Sequence, residues 1–145
     1  MRRTTATLVC LTFSAALAFG SAAFAESVSF KADLKAASEV PPVESKGTGS
    51  LTASYDTGSK ALSYTVNYSG LTGDATAAHF HGPAAASQNA GVVVPVTGSV
   101  ATPIKGTATL TEAQAADLTA GRWYFNIHTA ANKGGEIRGQ VVKGP

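Results

Sequence analysis

Short β-rich runs separated by turn residues fill the chain from Ser27 to Val142, and that punctuation leaves room for little but an antiparallel β fold. Ser27 to Leu34 alternates with period two, as a strand half-buried against a core does. Val40-Pro41-Pro42-Val43 interrupts it, because proline has no N–H to give to a ladder. Residues 49–55 and 61–68 flank Asp56-Thr57-Gly58-Ser59-Lys60, a glycine-containing connection that predicts a hairpin. Residues 76–81 read as a further strand, followed by an Ala/Gly/Ser/Gln/Asn loop at 82–91. Val92 to Val96 is strand-like, with Pro95 arguing for a sheet edge or a bulge. Lys105 to Leu110, a buried run from Trp123 to Thr129, and Gly135 to Val142 complete the set.

One helix interrupts the strands. Thr111-Glu112-Ala113-Gln114 fits a capping box, with Thr111 as N-cap and Gln114 reaching back to it. Leu110, Gln114 and Leu118 fall on one face, and Gly121 supplies the C′ residue. Seven or eight short strands with one short helix predict an all-β fold, an antiparallel Greek-key β-sandwich or barrel.

The first 25 residues read as a leader rather than as part of that fold. Arg2 and Arg3 precede a mostly apolar run from Thr7 to Phe19, and Ala23-Phe24-Ala25 fits a small-x-small cleavage site. Residues 1–25 are therefore expected to be a signal peptide and residues 26–145 a single secreted or periplasmic domain with no membrane span. The eleven basic residues include Arg2 and Arg3, so those that remain balance the nine acidic ones. With no basic run or patch, nucleic acid is excluded as the expected partner. The lone cysteine, Cys10, and the lone methionine, Met1, also leave with the leader. The exported domain thus has no disulfide, no thiolate chemistry and no sulfur ligand for a metal.

All three histidines fall in two short motifs, Ala78-His79-Phe80-His81-Gly82 and Ile127-His128-Thr129. On a strand, His79 and His81 point to one face with Cα atoms roughly 6.5–7 Å apart, close enough for two imidazoles to converge on one ion. His128, on another strand, offers a third nitrogen. Imidazole suits copper and zinc, and a three-nitrogen set without sulfur argues against a blue-copper electron-transfer site. The plainer alternative is that these are polar residues at strand ends, hydrogen-bonded to neighbouring loops. A ligating histidine donates its other N–H to a carboxylate or carbonyl. Asn126, Glu136 and Asp74 are the candidates, and Asn126 shares a face with His128. Glu136 and Arg138, two apart, read either as part of the site or as a surface ion pair. Glu39, beside two stiffening prolines, either caps a turn or approaches the histidines, with the structural role favoured. Trp123, Tyr124 and Phe125 are expected in the core. No Gly-x-Ser-x-Gly elbow or Gly-rich phosphate loop is present.

Glu39-Val40-Pro41-Pro42-Val43, Ala78-His79-Phe80-His81-Gly82-Pro83-Ala84, Leu110-Thr111, Ile127-His128-Thr129-Ala130 and Gly134-Gly135-Glu136-Ile137-Arg138-Gly139-Gln140 occur in the order seen in CHRD domains, and the chain resembles that family over about residues 28–142. The resemblance implies an exported β-domain. In chordin such repeats belong to an extracellular binder of growth factors, which implies a metal-free protein-interaction domain as one reading. A weaker likeness, carried by His-x-His, the later lone histidine and a glycine-flanked arginine, is to copper/zinc superoxide dismutase. It implies a copper redox enzyme in which His79, His81 and His128 hold copper and Arg138 attracts the anion. The chain departs from that enzyme in having no fourth histidine, no disulfide and no zinc cluster. The expectation is thus an exported CHRD-type domain that binds one copper or zinc ion through His79, His81 and His128. It is expected to act as a binding or storage module rather than an enzyme.

Overall fold

The computed structural model describes residues 25–145. All but the last residue of the expected leader lies outside the described residues. Eight strands form in chain order: β1 (Ser27–Lys35), β2 (Thr48–Asp56), β3 (Ala61–Ser69), β4 (Ala75–His81), β5 (Val92–Pro95), β6 (Ile104–Thr109), β7 (Trp123–Thr129) and β8 (Ile137–Lys143). A 3-10 turn at Ala36–Ser38 ends β1, and helix α1 (Glu112–Thr119) lies between β6 and β7.

Every pairing is antiparallel, and the strands form one sheet in the order β5-β4-β7-β8-β1-β2-β3-β6. The pairings β3 with β6 and β4 with β7 each skip two intervening strands, as a Greek key requires. The sheet is nearly closed into a barrel. Its two free edges, β5 and β6, are joined directly by residues 96–103, which bridge the seam. Val96 N–H bonds the Ala78 carbonyl on the β5 side, and the Tyr68 hydroxyl bonds the Val100 carbonyl on the β6 side. The expected antiparallel sandwich or barrel is thus met by one sheet nearly closed on itself. Pro95 ends an edge strand, where its missing N–H costs no ladder bond.

The alternation read from β1 holds, with Phe30, Ala32 and Leu34 buried and their neighbours exposed. They pack with Leu51, Leu62, Val66, Phe80, Ile104, Trp123, Phe125, Ile127, Ile137 and Val141 inside the barrel. Phe80 sits edge-on to both Tyr64 and Phe125. Gly106 is required here: a Cβ would lie 2.2 Å from the Tyr64 hydroxyl. The helix forms as its sequence predicts. Thr111 Oγ1 accepts from the Gln114 N–H, and the Gln114 side chain accepts from Thr111 N–H. Leu118 faces the core, and Gly121 follows the C-cap at φ +70°.

β7 departs from simple alternation. Six of its seven residues are buried, so both of its faces are covered. Trp123, Phe125 and Ile127 face the core, whereas Tyr124 belongs to the opposite face and not, as expected, to the core. That outer face of β4, β7 and β8 carries His79, His81, Tyr124, Asn126, His128, Arg138 and Gln140. Its cover is the loop 82–91, bonded to the segment after β1 by the Asn89 side-chain N–H to the Val40 carbonyl. Gln140 Nε2 holds the Ala84 carbonyl, and Ala84 N–H holds that of Arg122.

Candidate metal centre

His79 and His81 project from the same face of β4, and His128 from the adjoining strand β7. One ring nitrogen from each lies within 4.8 Å of the others, and His79 Nδ1 is 3.1 Å from His128 Nε2. His81 is buried, and the other two are half-buried.

The ring orientations are set by main-chain carbonyls. His81 Nδ1 lies 2.9 Å from the Ala90 carbonyl oxygen, and His128 Nδ1 lies 2.9 Å from that of Lys133. A carbonyl oxygen only accepts, so both Nδ1 atoms carry a proton, and in the neutral rings both Nε2 atoms present a lone pair. Those two lone pairs turn toward the same point, 3.0 Å from Asn126 Oδ1 in each case. Burial lowers the pKa of His79 below the ordinary imidazole value, helped by His128 and His81. Burial also lowers that of His81, against hydrogen bonds to the Ala90 carbonyl and to Asn126 Oδ1 that favour its charged form. Both rings are thereby kept neutral, the form that binds a metal.

A second layer fixes this cluster. Tyr124 stacks on His81 with ring centroids 4.8 Å apart and planes 1° from parallel. The Arg138 guanidinium lies 3.3 Å from the Tyr124 ring centre. Arg138 also donates to Asn89 Oδ1 and to the Ala86 and Gln88 carbonyls, so it grips the loop that supplies Ala90 to His81. Glu39 is 5 % exposed and faces the same region. Burial raises its carboxyl to about 7, although Arg138 and the Asn126 amide favour the charged form.

Residues 30–141 match the family model for the CHRD domain. The chain belongs to the CHRD domain family. No curated protein and no solved structure matches it.

Of the residues expected around the histidines of this CHRD domain, Asn126 and Arg138 are brought to the cluster. Asn126 touches two of the histidines directly, and Arg138 acts through Tyr124 and the loop. Glu136 is not part of it. Its carboxylate accepts from Ser45, Thr72, Thr129 and Asn132, which occupy it at the end of the sheet. Nor do Glu136 and Arg138 form a surface ion pair: both are buried, and their partners differ. Asp74 is exposed just ahead of β4. Arg138 is 1 % exposed and committed to the loop, so it presents no charge to an anion arriving from solvent. The residues that sequence reasoning missed are Tyr124, Asn89 and the carbonyls of Ala90 and Lys133. Tyr124 alone left a signal, because it shares strand parity with Asn126 and His128. Glu39 approaches the site through Asn126 rather than only capping a turn. Among the described residues no helix is long and apolar enough to cross a membrane.

Proposed function

We propose that this CHRD domain is exported and holds one copper or zinc ion through His79, His81 and His128, as a binding or storage module. The observation that carries the reading is the commitment of two Nδ1 protons to the Ala90 and Lys133 carbonyls, which leaves two Nε2 lone pairs converging beside His79. Imidazole donors suit both copper and zinc, and with only nitrogen and oxygen donors at hand copper(II) or zinc(II) is favoured over copper(I). Such an ion would replace protons as the positive charge shared among the three rings. Export is supported by the leader-like residues 1–25.

Calorimetric titration of the purified protein with copper(II) and with zinc(II), beside a H79A/H81A/H128A variant, tests the metal reading. One-to-one binding by the native protein and none by the variant is expected. Equal binding by both would remove the site. For export, the species recovered outside the cytoplasm is expected to begin at Glu26. A full-length chain confined to the cytoplasm would refute it.

A further inference from the structure

The histidine cluster contains a contact that neutral hydrogen bonding does not satisfy. With both Nδ1 protons held by main-chain carbonyls, His81 Nε2 and His128 Nε2 are acceptors. Asn126 Oδ1, also an acceptor, lies 3.0 Å from each. In the neutral rings Oδ1 thus faces two lone-pair nitrogens at hydrogen-bond distance with no hydrogen between, and His79 Nδ1 lies 3.1 Å from one of them. Turning the carboxamide over would give the histidines a donor. It would also set Oδ1 against the ionised Glu39 carboxylate, whose Oε1 is buried with no hydrogen-bond partner. Glu39 and the Asn126 amide nitrogen are close because residue 135 is glycine. A Cβ there would lie 2.3 Å from Glu39 Oε1 and 2.7 Å from Asn126 Nδ2.

We infer that Asn126 is a fourth metal ligand, its Oδ1 completing a three-nitrogen, one-oxygen site, and that Glu39 is the positioning residue that holds the amide nitrogen outward. The inference rests on the metal reading above and deepens it. Ligands about 2.0–2.1 Å from a tetrahedral ion stand about 3.3 Å from one another; three of the separations here, 3.0, 3.0 and 3.1 Å, approach that edge length, and all three histidine nitrogens lie within 4.8 Å. For zinc, four protein donors would fill the tetrahedral shell and leave no position for water or substrate, which is the coordination of a holding site rather than a reactive one. The oxygen donor also favours a divalent ion over copper(I).

The test measures zinc affinity by competition with a chelator, and cobalt(II) visible absorption as a reporter of coordination. Both are read on the native protein and on N126A, N126D and E39Q, with circular dichroism confirming the fold. Loss of partners around ligands costs roughly 10–100-fold in metal affinity, and N126A is expected to lose at least that much. Its cobalt(II) bands should also change, while N126D, which restores an oxygen donor, binds as the native protein does. E39Q should weaken zinc binding and reduce the shift that zinc produces in the Asn126 side-chain carbonyl carbon, read by NMR. Native affinity and an unchanged cobalt(II) spectrum in N126A would overturn the fourth ligand while leaving the histidine site standing. Absence of zinc and cobalt(II) binding in the native protein would overturn both. Should N126A fail to fold, the native protein decides, because an Asn126 carbonyl carbon unmoved by zinc overturns the inference. A native affinity and a native carbon shift in E39Q would remove the role given to Glu39.

Discussion

Burial pushes the Glu136 carboxyl upward, yet hydrogen bonds from Ser45, Thr129 and Thr72 more than offset it and hold the group at about 2. Five donors converge on its two oxygens, so Glu136→Gln replaces an acceptor with a donor where donors already point. The expected cost is about 3 kcal/mol at neutral pH, read by urea unfolding. The sign with pH follows from the depressed value. This stabilisation is present above about 4.5 and is lost as pH falls toward 2, so the gap between native and variant should close across that window. Glu39 runs the other way. Its folded value of about 7 lies above the ordinary 4.5, so its contribution is complete below 4.5 and is lost as pH rises through 7. At about 1.4 kcal/mol per pKa unit, metal-free E39Q should gain on the order of 3 kcal/mol relative to the native chain between pH 4.5 and 7. A pH-independent difference would show that Glu39 does not titrate within that window.

At the scale of elements, what is local in sequence was legible and what depends on distant backbone was not. The period-two alternation of β1, the turn between β2 and β3, and the Thr111 capping box are written in neighbouring residues, and each forms as read. Strand parity alone put His79 with His81 and Asn126 with His128. The cover over these residues had no such pattern. It is built from main-chain carbonyls of the loop 82–91 gripped by Arg138 from β8, and carbonyls leave no mark in a sequence. Glu136 was misplaced for a related reason. It stands just before β8 begins, where strand parity no longer dictates which way a side chain turns. Arg138→Lys tests the cover as a unit. Lysine keeps the charge but loses the planar fork that rests on Tyr124 while reaching three loop acceptors. Hydrogen exchange across 84–91 should quicken, and zinc affinity should fall roughly tenfold as Ala90 loosens from His81. Native protection in that loop would show that Arg138 does not anchor it.

For the whole molecule, the outer position of the site decides how metal and fold are linked. The barrel interior is complete without an ion, because Phe80, Phe125 and Ile127 fill it from the opposite face of β4 and β7. The fold should therefore persist without metal, unlike small domains that use a metal in place of a core. An ion held by His79, His81 and His128 would cross-link β4 to β7, with the loop 82–91 closed over it through Ala90. It binds the folded state and not the separated strands, so mass action stabilises the fold by about 2.7 kcal/mol at one hundred times the dissociation constant. For a domain of this size that corresponds to a rise in Tm of about 10 °C. The H79A/H81A/H128A variant should unfold cooperatively, at a Tm below that of the metal-free native protein because it loses the His81 stack on Tyr124 and the bonds to Ala90 and Lys133, and show no rise with zinc. A metal-free native chain that is already unfolded would instead place the ion among the forces that build the barrel, contrary to the packed interior seen here. A zinc-dependent rise that survives in the triple variant would move the ion away from the histidines altogether.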